Sequence, residues 1–406
     1  MRVGILPHAG LSNIIPNFRL ARSLVNLGCE VRFLGSDIVK DTAMEGHSKA
    51  WASSARKFGF EDYLVVHNST EESFIAWLIR QIDVLQLGIV VLDAGWQSLA
   101  YALPGKIVIF HAGLPDFRSG DMPTWRFVHP NHGKDVWKNA RNQLEALERA
   151  GQGERSVLYN AAIDSGMTLE NKAFDFGCGE FANIPAIRAM SLPQILEFPG
   201  EAGRVRYLGV NLPSESDIDW TSGPDRLTKD ERPLILCIFG TTGLSGLSEY
   251  LWLLSTSMEL AKSLEKHLVA VVLPDLAQSY VQRIARVVKN LVVYSWVPLW
   301  ETISARSAPT ILVTTPGVGT FREAVASGTP VVAIPRILDQ FGAAARIEYF
   351  GLGRCIVSPN LPDAKSVIEN VSLCFSDNQI WERANKIKQA ISSDNGHDSL
   401  KNLFEI

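Results

Sequence analysis

Four short segments in the second half of the chain place hydroxyl, carboxyl, amide and indole groups directly after apolar runs of strand length. The first is Gly240-Thr241-Thr242-Gly243-Leu244-Ser245-Gly246, which follows Leu234–Phe239. Glycines and hydroxyls between a strand and a helix can bring backbone N–H groups close to a phosphate. No Gly-Lys-Ser/Thr follows, so this is not a Walker A loop, and a plain flexible turn explains it equally well. The second is Thr314-Thr315-Pro316-Gly317-Val318-Gly319-Thr320, leading into Phe321-Arg322-Glu323-Ala324. A helix beginning there presents N–H groups without partners and roughly half a positive elementary charge. Gly317 and Gly319 permit close approach by a diphosphate, the Thr320 hydroxyl can donate to it, and Glu323 can accept from ribose hydroxyls. Thr-Pro-Gly is also an ordinary way to start a helix.

The third segment is Pro335-Arg336-Ile337-Leu338-Asp339-Gln340. A carboxylate beside a carboxamide can bind a vicinal diol, because one accepts and the other both accepts and donates. Asp339 can equally be the N-cap of a following helix. The fourth is Trp296-Val297-Pro298, where an indole can stack on a nucleobase or pack in the core. In the first half, His8, Asp93 and His111 each stand at the end of a strand-like run, with Asp116 close to His111. Imidazole is suited to general-base work near neutrality, although each of these groups also has an ordinary structural reading.

Alternating strands and helices must position these groups. Arg2–Pro7, Glu30–Leu34, Tyr63–Val66, Ile89–Leu92, Lys106–Phe110 and Val205–Gly209 read as strands in the first half. Ile15, Phe18, Leu20, Ala21, Leu24 and Leu27 recur at helical spacing after the first strand, and Gly28 stands where a C-cap is needed. The second half repeats the pattern from Leu234 to Ile356, and Gln379–Ile391 reads as a polar amphipathic helix. Such alternation predicts parallel sheets covered by helices. The expected divisions are a first domain at 1–212 with an aromatic-rich insertion at 111–180, a linker at 213–233, a second domain at 234–378, and a crossover helix with tail at 379–406. Ligands in open α/β sheets bind beyond the C-terminal strand ends, so the chemistry belongs in the loops after strands.

Composition narrows the function classes. The 406 residues are 46% hydrophobic and 20% charged, as in soluble globular proteins, which excludes a disordered chain, a collagen or a coiled-coil rod. A formal net charge of -4 gives no global basic field for nucleic acid. The five cysteines are scattered and form no CxxC pair, so reduced thiols in a cytoplasmic protein are expected rather than disulfides or structural zinc. Met1–His8 reads as a first strand rather than a signal peptide, and no uncharged apolar run is long enough to span a bilayer. Contact with a membrane surface stays open.

The order and spacing of the four segments give them a specific likeness. Residues 234–356 resemble the donor half of a family 1 nucleotide-sugar glycosyltransferase of the GT-B superfamily. In that family a Gly-Thr/Ser loop, a Trp-x-Pro-Gln segment, a His-x-Gly-x-x-(Ser/Thr)-x-x-Glu segment and an Asp/Glu-Gln pair follow one another. Here these are Gly240-Thr241-Thr242, Trp296-Val297-Pro298, Thr315 to Glu323, and Asp339-Gln340. Ser12–Pro16 and the stretch from Leu196 to Val210 resemble the first half of the family more loosely, and residues 111–180 find no counterpart. The resemblance implies two doubly wound Rossmann-like domains facing a cleft, with the C-terminal helix crossing back to the first. It implies inverting, metal-independent transfer of a sugar from a UDP- or dTDP-sugar to a small acceptor such as a natural product. The nucleotide sugar is then a co-substrate, and no further cofactor is expected.

Departures from the family fall on Thr315 in place of His, on Pro316, which lacks an N–H, and on Leu299 in place of Gln. Asn13 stands at the position where many members carry the acceptor-activating His, and Asn cannot take a proton at neutral pH. His8 and Asp93 are then the favoured bases, with His111 behind them. Two other readings are compatible: a lipid-acceptor enzyme of the peptidoglycan-precursor type, and a non-catalytic nucleotide-sugar-binding partner.

Overall fold

The computed structural model describes residues 1–7, 11–35, 59–60, 64–66, 74–111, 118–119, 122–123, 129–136, 138–140, 142, 174–175, 180–181, 186–199, 205–209, 225–239, 247–273, 288–337, 339–393 and 397–405. The chain divides into two compact units. One comprises Met1–Thr124, His132–Asn211 and Asp394–Ile406, and the other Trp125–Asn131 and Leu212–Ser393.

The first unit is built on a seven-stranded sheet. Its strands are β1 (Arg2–Leu6), β2 (Glu30–Gly35), β3 (Leu64–Val66), β4 (Ile89–Asp93), β5 (Lys106–His111), β6 (Ile187–Met190) and β7 (Arg206–Tyr207). They lie in the order β7-β6-β5-β4-β1-β2-β3, with every neighbouring pair parallel. Side chains alternate between the two faces of a strand, and each face here meets its own core. Val3, Ile5, Val31, Phe33 and Val91 join Phe18, Ala21 and Leu24 of helix α1 (Leu11–Asn26) on one side. Leu6, Leu34, Val90 and Leu92 join Trp77, Leu78 and Ile82 of helix α2 (Phe74–Val84) on the other. Phe18, Phe33 and Phe60 form an aromatic cluster with centroids 4.8 to 5.9 Å apart. The strand Ile187–Met190 carries no continuous apolar run, so its sequence gives it away poorly.

The second unit has a six-stranded parallel sheet. After the short helix α3 (Asp225–Lys229) come β8 (Leu234–Phe239), α4 (Leu247–Ser263), β9 (Leu268–Val272) and β10 (Leu291–Tyr294). Then follow α5 (Leu299–Ser304), β11 (Thr310–Thr315), α6 (Val318–Ser327), β12 (Val331–Ala333), α7 (Gln340–Tyr349) and β13 (Gly353–Cys355). Helices α8 (Ala364–Ser376) and α9 (Asn378–Ser393) close this unit. The strand order β10-β9-β8-β11-β12-β13 is that of a doubly wound α/β sheet, reversing between β8 and β11. Gly328 ends α6 at φ 72°, the left-handed cap that glycine adopts without a Cβ clash. Residues 274–287, within the repeat read from Leu234 to Ile356, lie outside the described residues.

The ends of the chain divide differently from the sequence reading. Helix α9 belongs with the second unit, where Ile380, Ala384, Ile387 and Ile391 are buried. Only the final helix, α10 (His397–Phe404), joins the first unit, whose core includes Leu400, Leu403 and Phe404. The polar stretch expected as linker contains α3, whose Leu227 is fully buried. There Arg306 donates to the carbonyls of Leu227 and Arg232, while Asp230 and Arg232 pair at 2.6 Å. Among the described residues, no helix is long and apolar enough to cross a membrane.

Candidate functional site

The strongest site lies at the start of α6, at the edge of the switch point of the second sheet. Register pairs Phe239, the last residue of β8, with Thr315, the last residue of β11. The chain then turns sharply, with the Gly317 N–H donating to the Thr315 carbonyl at 2.8 Å. Gly317 caps α6 in an extended conformation, φ -59° and ψ 151°. The first intrahelical bond runs from the Phe321 N–H to the Gly317 carbonyl at 2.9 Å. The N–H groups of Val318, Gly319 and Thr320 therefore precede the helical ladder, and the N-cap, Gly317, has no side chain to meet them. The Gly317 N–H is spent on the turn, so its service to a ligand is room rather than a hydrogen bond.

That room is open. A Cβ built on Gly317 or on Gly319 meets nothing within 4 Å, and neither residue has a positive φ. The fold asks for glycine at neither position. Thr315, where the family has His, is 1% exposed, and its Oγ1 has no hydrogen-bond partner among the described residues. An orphaned hydroxyl at a strand end normally has a water or ligand to satisfy it. Glu323 lies one turn beyond Gly319 on the same helix face and is half-buried.

Asp339 and Gln340 stand at the start of α7. Gln340 is buried, and its Oε1 accepts from the N–H groups of Arg336 at 2.9 Å and Ile337 at 3.2 Å. Only its NH₂ group is left for a ligand. Asp339 keeps some surface as a residue, yet its carboxyl is set deep enough that burial pushes its pKa up to about 6. Backbone N–H groups of Asp339, Val318 and Gln340 oppose that rise by favouring the charged form. Val318 is the first residue of α6, so the carboxylate and the start of that helix are neighbours.

Trp296 is 68% exposed after β10, whereas the adjacent Val297 is 3% exposed and anchors the segment. An indole so exposed is available to stack. Gly240, Thr241 and Thr242 lie outside the described residues. The structure thus brings together Thr315 to Glu323 and Asp339.

In the first unit the sheet reverses between β1 and β4, where Leu6 pairs with Leu92. Asp93 ends β4 and is 1% exposed. Its Oδ2 accepts from the Nδ2 of Asn17, 3.0 Å away on α1 and fully buried. Sequence reasoning missed Asn17; its signal is that it follows Asn13 by four residues, about one helical turn. His8 and the Asn13 side chain lie outside the described residues. His111 ends β5, is 5% exposed, and burial with the nearby Arg188 charge lowers its pKa to about 3. At neutral pH it is an uncharged imidazole with little tendency to take a proton.

Solved structures with the same architecture carry one kind of description. The crystal structure of the glycotransferase of kitacinnamycin superposes with a TM-score of 0.66 at 17% identity, covering 100% of this chain and 98% of that one. UDP-glucose: anthocyanidin 3-O-glucosyltransferase, in complex with UDP, gives 0.68 at 16% identity, again over 100% and 98%. The chain has the fold of these structures, the GT-B fold. No family model matches this GT-B chain. In sequence it is 28% identical to the oleandomycin glycosyltransferase of Streptomyces antibioticus over 116 residues, 29% of this chain and 26% of that protein. It is 27% identical to the zeaxanthin glucosyltransferase of Pantoea ananas over 170 residues, 42% of this chain and 38% of that protein. The GT-B chain thus spans about a quarter to two fifths of the length of these relatives.

Proposed function

We propose that this protein is a glycosyltransferase that moves a sugar from a nucleoside diphosphate sugar to a small, natural-product-like acceptor. The observation that carries the reading is the first turn of α6, with its N–H groups outside the helical ladder and two glycines that the fold itself does not require. Chemistry supplies the rest. As the bond to the anomeric carbon breaks, negative charge collects on the leaving diphosphate. N–H groups fixed toward that charge stabilise the transition state more than the ground state. The Thr315 hydroxyl donates a further hydrogen bond, and Glu323 accepts from ribose. Trp296 stacks on the base, and Asp339 with the Gln340 NH₂ orients the sugar. The helix end does the work that a divalent ion does in other transferases, so transfer proceeds in chelator.

The likeness to glycosyltransferases of oleandomycin and zeaxanthin supports an acceptor that is a natural product. Structural neighbours solved with UDP, including Os79 from O. sativa at a TM-score of 0.67, support a uridine donor. Free thiols at Cys29, Cys237, Cys355 and Cys374 fit a cytoplasmic setting. For the acceptor base the reading keeps His8 and Asp93.

Incubation with UDP- and dTDP-sugars, a panel of hydroxylated acceptors and a chelator tests the proposal. Sugar transfer is the expected result, and Asp339→Ala should lower it by about 100-fold while leaving the circular dichroism unchanged. The Asn17–Asp93 bond favours a second reading, because it occupies one oxygen of a carboxylate that a base would need free. Tight nucleotide-sugar binding with neither transfer nor donor hydrolysis would identify a binding protein instead.

A further inference from the structure

Three groups able to bind a cation converge at the far end of α7 from Asp339 and Gln340. Glu348 stands in the last turn of that helix, and the segment Trp125–Asn131 belongs to the same unit. His129 is 6% exposed and packs its ring 5.7 Å from that of Tyr349. Its Nε2 lies 3.4 Å from the Glu348 Oε2. His132 follows three residues later, after Pro130 and Asn131, and is half-buried. One ligand atom from each of His129, His132 and Glu348 lies within 4.8 Å of the other two.

A proton can join two of these groups, but only an ion of higher coordination joins three. An ion bound tetrahedrally at about 2.0–2.2 Å spaces its ligand atoms roughly 3.4 Å apart. Closing the remaining gap asks for a small rotation of the Glu348 side chain, which is 47% exposed. Two imidazoles with one carboxylate suit zinc and its neighbours, whereas magnesium and calcium take oxygen ligands. The negative end of the α7 dipole favours a cation in the same place. The Asn131 N–H donates to the His129 Nδ1 at 3.3 Å. A metal at Nε2 moves the ring proton to Nδ1 and gives up that long bond.

We propose that His129, His132 and Glu348 bind a divalent ion of the zinc class, which ties this loop to the end of α7. Three protein ligands leave a further position for water. Along the helix axis Glu348 is about 12 Å from Gln340, so the ion holds the loop and does not reach the sugar contact proposed for that residue. The site does not depend on the donor reading. Transfer in chelator bears on the donor site alone, and the two proposals fail separately.

The test uses Zn²⁺ itself on the full chain, stripped of metal with a chelator, desalted and kept reduced. Titration against a chromophoric chelator should show one ion bound per chain, and excess Mg²⁺ should not displace it. His132→Asn and Glu348→Gln change positions that keep surface, and circular dichroism checks that both variants fold. Each should lower zinc affinity by more than the roughly 10- to 100-fold that loss of an outer-shell partner costs. Zn²⁺ at roughly 100 times its Kd should raise the wild-type melting temperature by several degrees and leave both variants unmoved. Zinc bound equally well by wild type and both variants would belong to other histidines or to thiols, and overturns the proposal. Wild-type protein that takes up no zinc overturns it as well.

Discussion

The two sheets reverse direction at equivalent places, and the chain has treated the two places in opposite ways. At the reversal in the first unit, the polar groups that are described are closed off: Asp93 is 1% exposed and bonded to Asn17, and His111 on the next strand is held neutral by burial. Beside the reversal in the second unit, α6 begins with space around two glycines and an unsatisfied Thr315 hydroxyl. One unit pairs its strand-end carboxylate with a buried amide, and the other holds a strand-end hydroxyl, that of Thr315, without a partner among the described residues. Burial without a partner costs roughly 1–3 kcal/mol per polar group, so leaving groups unspent is costly unless a ligand uses them.

His111 supplies the largest expected effect. If the first unit is sealed, this imidazole must stay neutral while folded. Its folded pKa of about 3 lies below the unfolded value of 6.5, so the unfolded chain takes the proton first. The contribution to stability is present above about pH 6.5 and lost as pH falls toward 3. Between pH 6.5 and about pH 4 the loss is about 3 kcal/mol. Urea midpoints at those pH values should move together less in His111→Gln than in wild type. Equal acid sensitivity in the two proteins would mean that the imidazole meets water.

Asn17 tests the same region from the other partner. Asn17→Leu removes the donor to Asp93 and leaves a buried carboxylate short of one hydrogen bond. Stability should fall by about 2 kcal/mol in urea unfolding. Asn17→Leu and Asp93→Asn should be non-additive, since the second change removes the charge that the first one strands. Additive losses would break the picture of a closed pair.

Glu323 probes the open region. Glu323→Ala should weaken UDP binding by about 1–3 kcal/mol, the scale of a hydrogen bond to a charged group, with little change in melting temperature. Unchanged affinity would move the ribose away from α6.

The contrast between the units also explains which parts could be read from the residues alone. Parallel sheets are buried on both faces, so β1, β4, β8 and β11 announce themselves by the apolar runs Val3–Leu6, Ile89–Leu92, Leu234–Phe239 and Ile311–Val313. The segments proposed for the donor are legible because close approach to a backbone leaves glycines in sequence. Asn17 leaves no such mark: a fully buried amide looks like any polar residue on a helix until its partner, 76 positions away, is placed beside it. Helix α8 escapes notice for another reason. Its N-cap is clear, with Asp363 accepting from the Ser366 N–H at 2.7 Å, but its buried face is only Val367, Val371 and Cys374. Gln340 reads as a group that both accepts from and donates to a ligand, yet its carbonyl is already committed to the turn before α7.

Gly319 separates fold from function most cleanly, although its effect on stability is the smallest. At the second position of α6 a methyl group has space within the ligand-free protein. Alanine is a better helix residue than glycine by up to about 1 kcal/mol, and near a helix end by about half of that. Gly319→Ala should therefore melt at or slightly above the wild-type temperature. The same methyl would stand over the N–H groups that the diphosphate approaches, so affinity for UDP should drop while stability does not. A position chosen for folding loses stability when it is changed, and a position kept open for a ligand loses only the ligand. If Gly319→Ala binds UDP as tightly as wild type, the anion does not come to this turn, and the open space beside β11 has another use.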